Sequence, residues 1–174
     1  MGLILSQLPS GERVFIDTNI FLYAVFEHSA YGKSSRDFLK RVEKNEVMGF
    51  TSDLVLNEVF HRLMTAEIAE TEGIVAHNVP MLIKRQPKII GELRRVWDEM
   101  ELLSSFGITL LNSTTYPEFV RLSRKYMLTA ADAAHLAIMQ ANGIVSMASN
   151  DRDFKRVAWL NLWRPENGLL IEDL

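Results

Sequence analysis

Val14-Phe15-Ile16-Asp17-Thr18-Asn19-Ile20-Phe21-Leu22-Tyr23-Ala24-Val25 is the stretch that decides how this chain folds. Three apolar residues run into a carboxylate, a hydroxyl and an amide, and an apolar helical pattern comes next. A short apolar run ended by helix-capping residues reads as a buried strand feeding a helix. Asp17 then stands at the carboxyl end of a strand, where open α/β sheets bind their ligands. Asp17 and Thr18 are equally the residue types that cap a following helix. A ligand role for Asp17 therefore requires partners from elsewhere in the chain.

Composition bounds the alternatives. A length of 174 residues suffices for one domain with a substantial core, and 48% hydrophobic with 24% charged residues is ordinary for a soluble globular protein. With no cysteine, disulfides, thiolate metal sites and cysteine nucleophiles are excluded. A formal charge of −3 argues against coating nucleic acid through bulk charge, yet leaves room for a local basic rim around an acidic site. Residues 1–11 lack a basic segment followed by a long apolar core, so no signal peptide is expected. No apolar run approaches a membrane span. The expectation is a cytoplasmic protein with no membrane partner.

Outward from the opening stretch, Ala30 to Lys44 reads as a helix and Val47 to Phe50 as a strand. Thr51 or Ser52 then caps a helix from Asp53 to about Met64. Ala66 to His77 is helix-compatible, and Pro80 and Pro87 punctuate the segment after it. Lys88 to Ser104 carries Ile89, Leu93, Val96, Met100 and Leu103 at intervals of three or four, which predicts one helix with an apolar stripe. Core packing is the default for that stripe, and a homodimer or partner surface is the alternative. Ile108 to Leu111 is a strand, and Asn112 to Ser113 caps a helix through Tyr126. Thr129 opens a helix to Ala141, Ile144 to Ala148 is a strand, and Trp159 to Leu162 and Leu169 to Ile171 are further strand candidates. Strands separated by helical stretches indicate an α/β domain with a mainly parallel sheet.

Three more acids could meet Asp17. Thr129-Ala130-Ala131-Asp132 matches a capping box, but Asp132 also shares a helix face with Leu136 and Met139 and so points inward. Glu58 falls at the edge of an apolar arc, where an ion pair with Arg62 four residues on is the plain alternative. Asp151 comes after a strand as Asp17 does, with Asp153 two residues later, and a turn role suits either. Should the two strands be neighbours, Asp17 and Asp151 approach at one rim. Clustered carboxylates raise one another's pKa unless a cation sits among them. Oxygen-only ligands suit Mg²⁺ or Mn²⁺, ions that activate water and steady a phosphoryl transition state.

The order hydrophobic-Asp17-Thr18-Asn19, Asn57-Glu58-Val59, Ala131-Asp132-Ala133-Ala134-His135-Leu136-Ala137 and Ser149-Asn150-Asp151-Arg152-Asp153-Phe154 resembles PIN-domain proteins. Within them it is most similar to the ribonuclease toxins of VapBC-type toxin–antitoxin pairs. The similarity covers Val14 to about Met64 and Tyr126 to about Phe154. It implies a single PIN-like α/β domain over 1–174, a sheet flanked by helices, and a helical insertion at about 65–105, longer than in the compact toxins. It also implies Asp17, Glu58, Asp132 and Asp151 as site acids, with Thr18, Asn19 and Ser149 lining the site and Asp153 sharing the role of Asp151. Asp17, Asp132 and Asp151 would hold Mg²⁺ or Mn²⁺. The implied partners are an RNA substrate, an antitoxin protein and a second copy of the chain.

Arg152, Lys155 and Arg156 lie just beyond Asp151 and read either as a solvated face or as phosphate contacts for a passing substrate. His135 is set aside as structural, and His61 and His77 have no partners at zinc-like spacing. No dinucleotide or phosphate-loop glycine pattern is present. The expected function is a metal-dependent endoribonuclease. The alternatives are a non-catalytic RNA-binding or protein-docking module of the same fold and, more remotely, a haloacid-dehalogenase-like phosphatase, which would need an acid where Asn19 stands.

Overall fold

The chain is described by a computed structural model over residues 2–112 and 116–170. Its centre is a sheet whose described strands are β1 (Leu3–Ile4), β2 (Arg13–Ile16), β3 (Met48–Ser52), β4 (Thr109–Leu111), β5 (Ser146–Ala148) and β6 (Asn161–Arg164). Their order is β1-β6-β5-β2-β3-β4, and every pairing is parallel. Parallel neighbours need crossover connections; β5 reaches β6 through a 3₁₀ turn at Asp153–Arg156, and β2 reaches β3 and β3 reaches β4 through α-helices. The described α-helices are α1 (Thr18–Val25), α2 (Gly32–Glu43), α3 (Asp53–Glu72), α4 (Val79–Arg85), α5 (Arg95–Ser105), α6 (Tyr116–Tyr126) and α7 (Ala130–Ala141). Val14, Phe15 and Ile16 of central β2 are all 0% exposed. A parallel strand covered on both faces is continuously apolar, and this is why the opening stretch reads as it does. Gly49 lets β3 approach α2: a Cβ there would lie 2.6 Å from Val42 Cγ1.

β2 sits between β5 and β3, with Ile16 opposite Ala148 and Phe15 opposite Phe50. The residues that leave these strands, Asp17, Ser149 and Asp53, therefore emerge along one rim. α3 carries Glu58 away from that rim. It is capped by Ser52, whose hydroxyl accepts from Val55 N at 3.4 Å. The segments read separately as 53–64 and 66–77 are one helix to Glu72, ended by Gly73 at φ +62°. A 3₁₀ turn comes next at Ala76–Asn78.

The helix expected over Lys88–Ser104 is two pieces. Pro87–Glu92 is a 3₁₀ turn, Leu93 is extended, and α5 begins at Arg95. The cause is tertiary. The Glu67 carboxylate of α3 accepts from the backbone N–H groups of Arg94 (2.8 Å), Arg95 (3.1 Å) and Val96 (2.8 Å), so a new helix start is capped from outside. The apolar spacing survives the break: Ile89, Leu93, Val96 and Leu103 are all buried in the core, and Met100 packs against it. The stripe is thus covered by its own chain, as the core-packing reading expects, and the alternative of a dimer or antitoxin face on it is set aside.

Other differences lie at the edges. The penultimate strand is Asn161–Arg164 rather than Trp159–Leu162, and Gly168–Leu170 is a 3₁₀ turn in place of the expected strand, Ile171 lying outside the described residues. Ser113, expected as a cap, also lies outside them. β1 is two residues long, too short to carry a readable period, and the sequence pattern does not reveal it. Among the described residues no helix is long and apolar enough to cross a membrane.

Candidate active site

Asp17 caps α1 and faces the cleft at once. Its backbone is extended (φ −83°, ψ 159°) and its Oδ1 accepts from Thr18 N at 2.8 Å. The other oxygen, Oδ2, accepts from Ser149 Oγ at 2.6 Å and from Asn19 Nδ2 at 2.5 Å. The parallel register brings Ser149 there, one residue past the Ile16–Ala148 pair. Asn19 also accepts from Asn150 N at 3.0 Å, and Ser149 Oγ accepts from Asp151 N at 3.0 Å. The capping and site roles weighed for Asp17 from sequence are therefore compatible, since its two oxygens divide them.

Asp132 likewise combines a cap with a place in the cleft. Thr129 Oγ1 donates to its Oδ2 at 2.6 Å, and its own N–H donates to that hydroxyl at 3.3 Å, so the capping box is formed. The half-buried carboxyl also lines the cleft. Glu58 accepts from Thr18 Oγ1 at 3.2 Å and lies 3.9 Å from Arg62, its side chain 43% exposed. Asp151 accepts from Asp153 N at 2.8 Å in a tight local turn. Asp153 does not line the cleft; it pairs with Arg156 at 2.7 Å.

One cleft of about 470 Å³ gathers Asp17, Thr18, Asn19, Glu58, Asp132 and Asp151. Burial raises the Asp17 carboxyl to about 6, against its hydrogen bonds from Ser149 and Thr18, and the charges of Asp132 and Glu58 push the same way. Asp132 is also raised, by burial and then by Asp151 and Asp153, with the Thr129 hydroxyl opposing. Acids that repel one another at a rim are the setting in which a divalent cation binds. As the side chains stand, no three His, Asp or Glu groups among the described residues form a ready-made cage. The donor set still fits a hard ion: it is all oxygen, and Mg²⁺ keeps several waters while taking only one or two carboxylates.

His135 lines the cleft wall at 2% exposure, its ring 5.7 Å from that of Phe15. Its Nδ1 has no partner among the described residues, and burial alone lowers its pKa to about 4. Buried against Phe15, it is held toward its neutral form. Arg152, Lys155 and Arg156 do not line the cleft, and Arg156 is held by Asp153 and by the Met127 carbonyl at 2.7 Å. The cation that does line it is Arg62, which the sequence showed only as a partner for Glu58. Its spacing, one turn beyond Glu58 on α3, was the available signal.

A parallel sheet with acids gathered at the ends of β2 and β5 and on the helices beside them is the arrangement of a PIN domain. The profile of that family matches residues 14–160, and the chain belongs to it. Among its relatives, ribonuclease VapC2 of Methanocaldococcus jannaschii is 30% identical over 154 residues, covering 86% of this chain and 92% of that protein. Similar solved structures include VapBC2 from Rickettsia felis bound to a promoter DNA fragment (TM-score 0.60, 15% identity, 88% of this chain and 99% of that one). Another is Mycobacterium tuberculosis VapC20, a sarcin–ricin-loop-cleaving toxin (TM-score 0.51, 15% identity, 85% and 97%). At such identity the solved structures share the fold with this chain.

Proposed function

We propose that the protein is a divalent-metal-dependent endoribonuclease and the toxin of a toxin–antitoxin pair. One observation carries this: four acids line a single cleft in a PIN-domain chain whose 30%-identical relative is named a ribonuclease. Nucleases of this family generally use divalent metals. Asp17, Asp132 and Asp151 would hold Mg²⁺ or Mn²⁺. Such an ion supplies charge neutralisation at the phosphodiester and makes water acidic enough to attack at neutral pH. Asn19 and Ser149 hold the Asp17 carboxylate in orientation through their hydrogen bonds. Thr18 does the same for Glu58, which would orient the attacking water. Asp153 steadies the Asp151 loop, and Arg152, Lys155 and Arg156 meet phosphates further along the substrate.

The test is cleavage of single-stranded RNA by purified protein with Mn²⁺ or Mg²⁺. Asp17→Asn and Asp132→Asn abolish cutting while circular dichroism shows the fold retained. Undiminished cutting by either variant, or in excess EDTA, overturns the mechanism. RNA binding without turnover favours the non-catalytic alternative. The partner part of the proposal, an antitoxin and a second copy of this chain in the cytoplasm, is tested separately. A small antitoxin-like reading frame directly upstream supports it, and a monomer by light scattering removes the homodimer.

A further inference from the structure

The cleft does not end at the acids. It continues along α1 and α3, which leave the same sheet rim and lie side by side. On α1 the wall is Thr18, Leu22 and then Phe26 at the helix end; on α3 it is Glu58, Arg62 and Ala66. Both sets step by four residues, so each is one face of a helix. Eight residues at 1.5 Å per residue give the groove a length of about 12 Å. Its near end is acidic, its middle carries Arg62, whose side chain is 63% exposed, and its far end is apolar with Phe26 at 43% exposure. An acid cluster, a cation and an open aromatic ring in one continuous volume match the parts of one nucleotide: reacting phosphodiester, neighbouring phosphate and base.

The geometry points to a nucleobase subsite in the far end of the cleft, where a base flanking the cut stacks on Phe26 while Arg62 contacts the adjoining phosphate. The inference rests on the nuclease function proposed above and deepens it by naming the residues that hold the nucleotide beside the cut. A base in a duplex must first be unpaired and unstacked to enter a groove between two helices, so a single strand, loop or bulge fills the subsite at the smaller cost. Apart from Thr65 and Arg62, the far wall offers Leu22, Phe26, Ala66 and Ala76, which present no side-chain hydrogen-bonding group to a base edge. Stacking of this kind tolerates any base. Selection therefore falls on whether a nucleotide is unpaired rather than on which base it carries.

The experiment has two arms. In the first, steady-state cleavage of a single-stranded RNA with Mn²⁺ is compared across variants. Phe26→Ala raises KM about 10-fold, Phe26→Leu raises it similarly because it keeps apolar cover without a π face, and Phe26→Trp restores the wild-type KM. Arg62→Ala lowers the slope of log affinity against log salt by about 1. In the second arm, binding of a fluorescent (rU)10 oligomer to the full chain is compared with that of an abasic oligomer of the same length. Wild type prefers (rU)10 about 10-fold, and Phe26→Ala shows no preference. Unchanged KM in Phe26→Ala, a Leu variant equal to wild type, or equal binding of the two oligomers overturns the subsite, including the case in which the far end takes a protein segment instead. Those outcomes leave metal-dependent cutting intact. Absence of cutting by wild type is the separate failure of the nuclease proposal.

Discussion

Two groups of carboxylates in this molecule are built on opposite principles. Glu67 sits between α3 and α5 with three backbone N–H groups donating to its two oxygens. Burial works against its charge, yet those N–H groups and Arg95 hold its pKa below the usual carboxylate range. Asp17 in the cleft accepts as many hydrogen bonds but is more deeply buried and has other acids for neighbours. Asp17 has Ser149, Thr18 and Asn19, but at 7% exposure beside Asp132 and Glu58 its pKa still rises to about 6. Glu67 is arranged so that its charge organises the fold. Asp17 is arranged so that its charge lacks a counter-ion the protein itself does not supply. An acid in a functional cleft thus costs stability that an acid at a helix start contributes.

The largest effect separates the two on activity. Asp17→Asn or Asp132→Asn lowers RNA cleavage by a factor on the order of 10³, whereas Glu67→Ala, assayed on folded protein, keeps kcat within a few-fold. A Glu67 variant that folds and does not cut would break the distinction. On stability the order reverses. Glu67→Ala leaves three N–H groups of the α5 start without their acceptor and costs about 2 kcal/mol in urea unfolding, while Asp17→Asn at pH 7.5 without metal is neutral or stabilising. Added Mn²⁺ or Mg²⁺ raises the melting temperature of wild type and of Glu67→Ala, with little effect on Asp17→Asn.

Acidification sharpens the comparison further. The Asp17 pKa is about 6 in the fold against an ordinary value of 3.8, so its contribution is fully present below about pH 4 and is lost as pH rises through 6. His135 runs the other way: its pKa is about 4 in the fold against 6.5, so its contribution is present above about 6.5 and is lost as pH falls toward 4. Between pH 7.5 and 5, Asp17 gains about 1.4 kcal/mol and His135 loses about 2, and metal-free wild type changes by less than about 1 kcal/mol from this pair. Asp17→Asn removes the compensating gain and loses about 2 kcal/mol over the same range. Identical pH profiles for the two proteins, by urea unfolding, would show that the Asp17 carboxyl is not held protonated by burial.

The legibility of each part is set by the range of the interactions behind it. Val14 to Ile16 declared a buried strand because apolar continuity is a local property, and Asp17 and Thr129 declared caps because capping acts over three residues. The break at Leu93 was illegible, since Glu67 lies 27 residues from the Arg94 N–H it accepts from and leaves the apolar period unchanged. Arg62 was visible as a residue and not as a cleft wall, because its relation to Leu22 and Phe26 exists only once α1 and α3 lie side by side. The stripe over Ile89 to Leu103 left core packing and a partner surface both open for the same reason: periodicity identifies a face that needs covering, never what covers it.

The sequence by itself determined the α/β class, the acids in PIN-domain order, and the double competence of Asp17 and Asp132 as cap and site residue, because each is written in residue type and short spacing. Only the tertiary structure decided that these acids share one cleft. That meeting depends on the parallel register that sets Ile16 beside Ala148 and delivers Asp17 and Ser149 to a single rim. Strand order is fixed by packing over more than a hundred residues of separation, and no local pattern encodes it.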